Sequence, residues 1–260
     1  MTWIIGRAGP FGHAIGISDI RVTLNDGREY DCLQKMYMIG SQLVLGFAGS
    51  VAIGLEIIAQ LNTALAAPNR EGSWDPEFVA EMLPIGTRKL FDKFPDAEKS
   101  LGCELMLLSA HPTKNDSPAP WARCYLHRYY SPKFEPQITE PGKIVSIGSG
   151  SDVKPYREAL ESLSLNMEMF NFEVGMLGGS GIALMSSLSS LLKRNPASGI
   201  SRYLHIFIVG RDRVRMGSNS VDTPDHPENH DPMPKVARNM EELRQLLSEV
   251  SASALKHAKC

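Results

Sequence analysis

Thr2-Trp3-Ile4-Ile5-Gly6-Arg7 is a strand-like run directly behind Met1, and it is followed by Asp19, by Lys35 and by the apolar stretch Leu43-Val-Leu-Gly-Phe-Ala-Gly-Ser50. A threonine hydroxyl in mid-chain is a poor nucleophile, but a threonine whose own α-amine is free carries its general base with it. That amine ordinarily titrates at about 7.7 to 8.0, so a useful fraction is neutral near neutral pH. Thr2 becomes such a residue when Met1 is removed, and its small side chain permits that trimming.

Working outward, residues 2–8 and 12–18 read as a hairpin around Gly9-Pro10-Phe11-Gly12, and Asn25-Asp26-Gly27 as a second turn. Lys35 to Ile39 and Leu43 to Ala48 read as another strand pair around Gly40-Ser41. Ser50 then caps a helix with Leu55, Ile58, Leu61 and Leu65 along one face. Asp75-Pro76 starts a second helix, for which the spacing predicts Phe78, Met82, Ile85 and Phe91 inward and a kink at Pro84. Cys103 to Ser109, Trp121 to Tyr130 and Lys143 to Ile147 read as strands, Asp152 to Leu163 and Gly181 to Lys193 as helices, and Tyr203 to Val209 as a last buried strand. Strands, two helices, strands, two helices and a strand imply an α+β fold in which two sheets pack face to face with helices outside both.

Residues 2–217 make up this domain. Residues 218–234, with Pro224, Pro227, Pro232 and Pro234 among polar residues, read as an exposed linker. Asn239 to His257 reads as an amphipathic helix with Leu243, Leu246, Leu247, Val250, Ala254 and Leu255 as its stripe, packing on its own subunit or on a neighbour.

The chain of 260 residues is 43% apolar with a net charge of −2, enough for a sizeable core and without the basic clustering of a nucleic-acid or membrane-surface binder. Cys32, Cys103, Cys124 and Cys260 form no Cys-x-x-Cys pair, which argues for reduced thiols and against a zinc or redox motif. His226 and His230 have helical ligand spacing, but Pro227 between them makes solvated histidines the better reading. Gly178-Gly-Ser-Gly181 lacks the lysine of a phosphate loop. No metal or cofactor is expected. No apolar run reaches membrane-spanning length, and Arg7, Gly9, Pro10 and His13 interrupt any signal-peptide core, so a cytoplasmic location is expected.

Thr2, Ser18-Asp19-Ile-Arg21-Val-Thr23, Lys35-Met36-Tyr37, Leu45-Gly-Phe-Ala-Gly49 and Ile147-Gly-Ser-Gly-Ser151 together resemble the catalytic half of proteasome β-type subunits, including bacterial HslV-like peptidases. The intervals from Asp19 to Lys35 and from Lys35 to Gly49 match that pattern without a gap, whereas one extra residue lies between Thr2 and Asp19. Each motif alone is weak, and five in order are much stronger. The resemblance stops before the Pro-rich segment, and it implies a four-layer αββα sandwich of the N-terminal-nucleophile hydrolase type.

It also implies roles. Thr2 is the nucleophile. Lys35 places an ammonium beside its hydroxyl, and Asp19 holds that ammonium charged and oriented. A surface ion pair would be worth at most about 1 kcal/mol; Lys35 stands in a strand pattern beside apolar Met36, which favours burial with Asp19. Gly49 offers its N–H to an oxyanion, a donor whose loss typically costs about 3 to 4 kcal/mol; a close-packing glycine is the rival reading. Ser149 hydrogen-bonds the α-amine, although Gly-Ser-Gly also marks ordinary loops. Asn195 and Ser198 match a family Asp and Ser, with Asn195 replacing the carboxylate and an insertion around Gly178-Gly-Ser-Gly181 preceding it. Thr23 and Val51 offer backbone contacts to an extended peptide, and Val22, Leu33, Phe47 and Val51 line an apolar pocket, which Phe47 equally could fill.

The expected activity is that of a threonine endopeptidase. Its subunits would self-associate into rings, stacked as a double ring, enclosing Thr2 so that only unfolded polypeptide reaches it, with an unfolding ATPase as a possible partner. The alternatives are a catalytically silent ring scaffold that retains Met1, and a small-molecule amidase on the same fold.

Overall fold

The computed structural model describes residues 2–9, 12–24, 26–66, 75–111, 123–173, 179–210, 213–219 and 232–257. Pro10, Phe11, Asn25, Trp121, Gly178, Cys260 and most of the expected linker, with His226 and His230, lie outside the described residues. In chain order the elements are β1 (Ile4–Ala8), β2 (His13–Asp19), β3 (Arg21–Thr23), β4 (Glu29–Asp31), β5 (Met36–Met38), β6 (Leu43–Gly49), α1 (Val51–Leu65), α2 (Pro76–Phe91), α3 (Asp96–Ser100), β7 (Cys103–His111), β8 (Arg123–Tyr130), β9 (Gln137–Ile138), β10 (Ile144–Ile147), a 3-10 turn (Ser149–Asp152), α4 (Lys154–Glu173), α5 (Gly179–Arg194), β11 (Leu204–Gly210), β12 (Val214–Ser218) and α6 (Met240–His257).

These form an α+β fold with antiparallel sheets. One sheet has the order β10-β1-β2-β11-β12, another the order β5-β6-β7-β8-β9, and β3 and β4 make a small ribbon. The β1–β2 hairpin runs from Ile4 opposite Ser18 to Ala8 opposite Ala14.

Side chains alternate across a strand, so each sheet feeds two cores. Ile4, Ala14, Phe207 and Val209 of the first sheet share a core with Val44, Met106, Leu108 and Leu126 of the second. Their neighbours Ile5, Ile15 and Ile206 instead join Tyr156 and Leu160 of α4 and Leu184 and Leu188 of α5. On the second sheet, Leu45, Phe47, Leu105 and Leu107 join Ile53 and Ile58 of α1, Val79, Leu83 and Leu90 of α2, and Leu243 and Leu246 of α6.

Ser50 caps α1 by accepting from the Ile53 N–H at 3.2 Å, and Asp75 caps α2 by accepting from the Glu77 N–H at 2.8 Å. The expected inward face of α2 needs correction. Phe78, Met82 and Ile85 are 57%, 44% and 48% exposed, while Val79, Ala80, Leu83, Leu90 and Phe91 are buried. The helix carries two apolar stripes, so periodicity alone does not select between them. The stripe turned inward is the one of Val79, Ala80, Leu83, Leu90 and Phe91, which joins the core of the second sheet, and the Tyr129 hydroxyl donates to the Ala80 carbonyl at 2.9 Å.

The C-terminal helix packs on its own chain: Leu243 and Leu246 are buried, whereas Val250, expected in the same stripe, is exposed. Ala237 ties its approach to the body, donating to the Cys32 carbonyl at 2.7 Å and accepting from the Gln34 N–H at 3.0 Å. Among the described residues no helix is long and apolar enough to cross a membrane.

His205 on β11 is buried, and burial, helped by the charge of Arg238, lowers its pKa to about 4. An unfolded histidine titrates at about 6.5, so between about pH 6.5 and 4 the unfolded chain binds a proton that the folded chain excludes. The contribution of His205 to stability is therefore expected to fall as pH drops through that window and to be constant below it. Urea denaturation across the window should show this slope, and His205→Gln should reduce it, with buried His127, whose pKa burial also lowers, supplying part of what remains.

Candidate active site

Asp19 ends β2 and Lys35 immediately precedes β5, and the two meet inside the protein. Asp19 is 0% exposed and Lys35 1%. Lys35 Nζ donates to both Asp19 oxygens at 2.9 Å. The same carboxylate accepts the Trp3 N–H at 2.7 Å on Oδ1 and the Arg21 N–H at 3.0 Å on Oδ2. The Ser201 N–H approaches Oδ2 at 3.4 Å. Burial pushes the Lys35 ammonium below its ordinary pKa, and Asp19 opposes that shift. A buried charge is tolerated only when paired and hydrogen-bonded, which this carboxylate provides.

Thr2 lies one residue from the Trp3 amide that Asp19 holds. Its backbone N–H donates to Ser149 Oγ at 3.1 Å, and its carbonyl accepts the Gly150 N–H at 3.1 Å. Close approach explains both glycines of the turn: Gly148 has φ +83° and a Cβ there would lie 2.4 Å from the Thr2 oxygen, while a Cβ on Gly150 would lie 2.4 Å from the Trp3 ring. The Gly148 N–H donates to Glu104 Oε2 at 2.9 Å. The turn thus wraps the start of the chain and presents the serine hydroxyl to the Thr2 nitrogen. While Met1 is attached that nitrogen is an amide donor; as a free amine it would be a proton acceptor in the same place.

Gly49 ends β6 with φ +91°, and a Cβ there would stand 2.4 Å from the Gly102 oxygen. That carbonyl accepts the Ser50 N–H at 2.8 Å, and the Ser50 hydroxyl bonds the Glu98 carboxylate. Gly49 is therefore clamped at the strand-to-helix turn by the segment after α3.

Thr2, Lys35, Gly49 and Ser149 line one cavity of about 820 Å³. Val22, Thr23, Leu33, Phe47 and Val51 line it too, which gives it an apolar wall beside the buried cation. Asn195 and Ser198 do not line it. The Asn195 carbonyl accepts the Tyr156 hydroxyl at 2.7 Å, and Tyr156 stacks on Trp3 with ring centroids 4.5 Å apart. The Ser198 hydroxyl donates to Glu29 Oε1 at 2.7 Å. Glu29 Oε2 in turn accepts from Arg21 Nη1 at 3.0 Å, and Arg21 is bidentate to Asp31 at 2.7 and 3.0 Å. Both residues support neighbours of the site, and the amide at position 195 leaves the charge of the cavity lining unchanged.

Several residues that line the cavity or stand against Asp19 were not singled out as site residues from sequence. Glu104 is a carboxylate at the start of an otherwise apolar strand, a signal visible in the alternation of β7. Ser201 follows Ser198 by three residues and, unlike it, is buried; its closeness to β11, where Leu204 pairs with Asp19, was the available clue. Met240 and Leu243 also line the cavity, from a helix that no motif covers. Among the described residues no group of three or more His, Cys, Asp or Glu is placed to hold a metal. Cys32, Cys103 and Cys124 are buried outside any disulfide, and burial pushes their thiols up to about 11, 12 and 12, so none is poised as a thiolate nucleophile.

Lys35→Ala leaves the Asp19 carboxylate buried without its cation and is expected to cost about 3–5 kcal/mol in chemical denaturation. Asp19→Asn combined with Lys35→Met should cost clearly less than the two single changes summed. Gly49→Ala, strained at its φ and facing a backbone oxygen, should cost about 1–3 kcal/mol. No protein-family model matches the chain and no curated protein matches it in sequence.

Proposed function

We propose that the chain is a threonine peptidase subunit of the N-terminal-nucleophile type, active once Met1 has been removed from Thr2. The observation that carries this reading is a single hydrogen-bonded constellation. One buried carboxylate, Asp19, holds both the Lys35 ammonium and the amide next to Thr2, while Ser149 Oγ sits 3.1 Å from the Thr2 nitrogen. The three cores, with two sheets between helices, support the finer reading of a four-layer αββα sandwich.

The chemistry follows from the parts. The free Thr2 amine takes the hydroxyl proton, relayed through Ser149 or a water, as Oγ bonds to the substrate carbonyl carbon. Lys35, itself buried, stabilises the developing alkoxide, and a backbone N–H at Gly49 serves the oxyanion. The C–N bond then breaks, and the leaving amine receives the proton held by the Thr2 amine. Water attacks the resulting ester with that amine again as base, releasing the acid and restoring Thr2. The apolar wall of Val22, Leu33, Phe47 and Val51 suits an apolar side chain on the residue before the scissile bond. Assembly into rings that admit only unfolded polypeptide, served by an unfolding ATPase, would keep such an amidase from folded proteins.

Intact-mass measurement with and without a peptidyl electrophile tests the reading. Protein beginning at Thr2 and gaining one adduct supports it; Thr2→Ala should gain none, and Ser149→Ala should react on the order of 10²-fold more slowly. The base works as the neutral amine, so the adduct rate should rise with pH through about 8, the ordinary range of such an amine, and level off about one pH unit higher. Retained Met1 with no adduct would favour a silent scaffold, and turnover of small amides without peptide cleavage a small-molecule amidase.

A further inference from the structure

We propose that the C-terminal helix is a wall of the substrate pocket, and that Met240 and Leu243 set the size of the apolar side chain the site accepts. This rests on the peptidase reading. Both residues come from the first turn of α6, and both line the cavity that holds Thr2 and Lys35. Leu246 and Leu247, one turn further on, belong to the same apolar cluster as Leu33 and Phe47 but do not line the cavity. The helix therefore divides its apolar stripe between holding itself in place and facing the site.

The wall is fixed on the segment between β4 and β5 that leads into Lys35. Ala237 bridges to Leu33, accepts from the Gln34 N–H at 3.0 Å and donates to the Cys32 carbonyl at 2.7 Å. The helix start is held by a reciprocal cap, with Glu242 N–H donating to Asn239 Oδ1 at 2.9 Å and Arg238 N–H to Glu242 Oε2 at 2.8 Å. Leu33 thus touches the wall from one side and the pocket from the other. Leu243 is buried and gives the wall a rigid branched surface, while half-buried Met240 gives it an adaptable one. Apolar pockets discriminate by about tenfold or more for each methylene gained or lost, so these two side chains have the leverage to choose between neighbouring sizes.

The test is the rate of covalent capture of Thr2 in the trimmed protein by peptidyl electrophiles that differ only in carrying Ala, Leu or Phe before the reactive carbonyl. Met240→Ala should raise the Phe-to-Ala rate ratio by about tenfold and Met240→Trp should lower it by a similar factor. Leu243→Ala should act in the direction of Met240→Ala. Met240 is half-buried, so the Trp variant serves if an Ala variant does not fold. Val250→Ala, on the exposed side of the same helix, should leave the ratio unchanged. Capture of Thr2 with ratios within about twofold of the parent in every Met240 and Leu243 variant would overturn the proposal, as would an equal shift in Val250→Ala. Failure of every probe to capture the parent protein would instead remove the peptidase reading, and this inference with it.

Discussion

The Asp19 carboxylate is the interaction on which the rest of the site depends. It is fully buried, and it binds the Lys35 ammonium and the backbone N–H groups of Trp3 and Arg21. Each partner belongs to a different local structure: the start of β1, the ribbon strand β3 and the approach to β5. One side chain thus sets the relative position of the chain start, the pocket rim and the buried cation. Without it, Lys35 would face the desolvation cost of an isolated charge, and the segments it joins would lose their common anchor.

The pocket is a part of the core left open. Leu33 and Phe47 contribute to the largest apolar cluster and to the cavity lining at once. Changes that alter the shape of the cavity therefore also alter packing between the second sheet and its helices. Site and scaffold share atoms here, so stability and pocket shape are coupled through the same side chains.

Much of this was legible in the sequence because it is local or strictly ordered. The hairpin of β1 and β2, the Ser50 and Asp75 caps and the spacing of Thr2, Asp19, Lys35 and Gly49 follow from turn residues, alternation and motif order. The apolar wall came only with the family resemblance, since neither alternation nor turn residues place Val22, Leu33, Phe47 and Val51 around one cavity. What escaped depends on long-range geometry. Two apolar stripes on α2 compete, and the choice between them lies in packing on the second sheet, which no local pattern specifies. Asn195 and Ser198 stand at matching motif positions, yet the turn before β11 brings Ser201, not either of them, against Asp19. The tail reads as amphipathic, but nothing local says that its first turn reaches a cavity formed by residues some two hundred positions earlier.

The Gly-Ser-Gly turn carries a further implication. It grips Thr2 through the nitrogen and the carbonyl while the peptide bond to Met1 is intact. The grip needs no new backbone arrangement after trimming, because Ser149 already stands at the atom whose character changes. Scission of one bond would reverse the polarity of a single hydrogen bond, turning a donor into an acceptor within a finished scaffold. On the peptidase reading proposed above, latency would be covalent and not conformational, the folded precursor lacking only a lone pair.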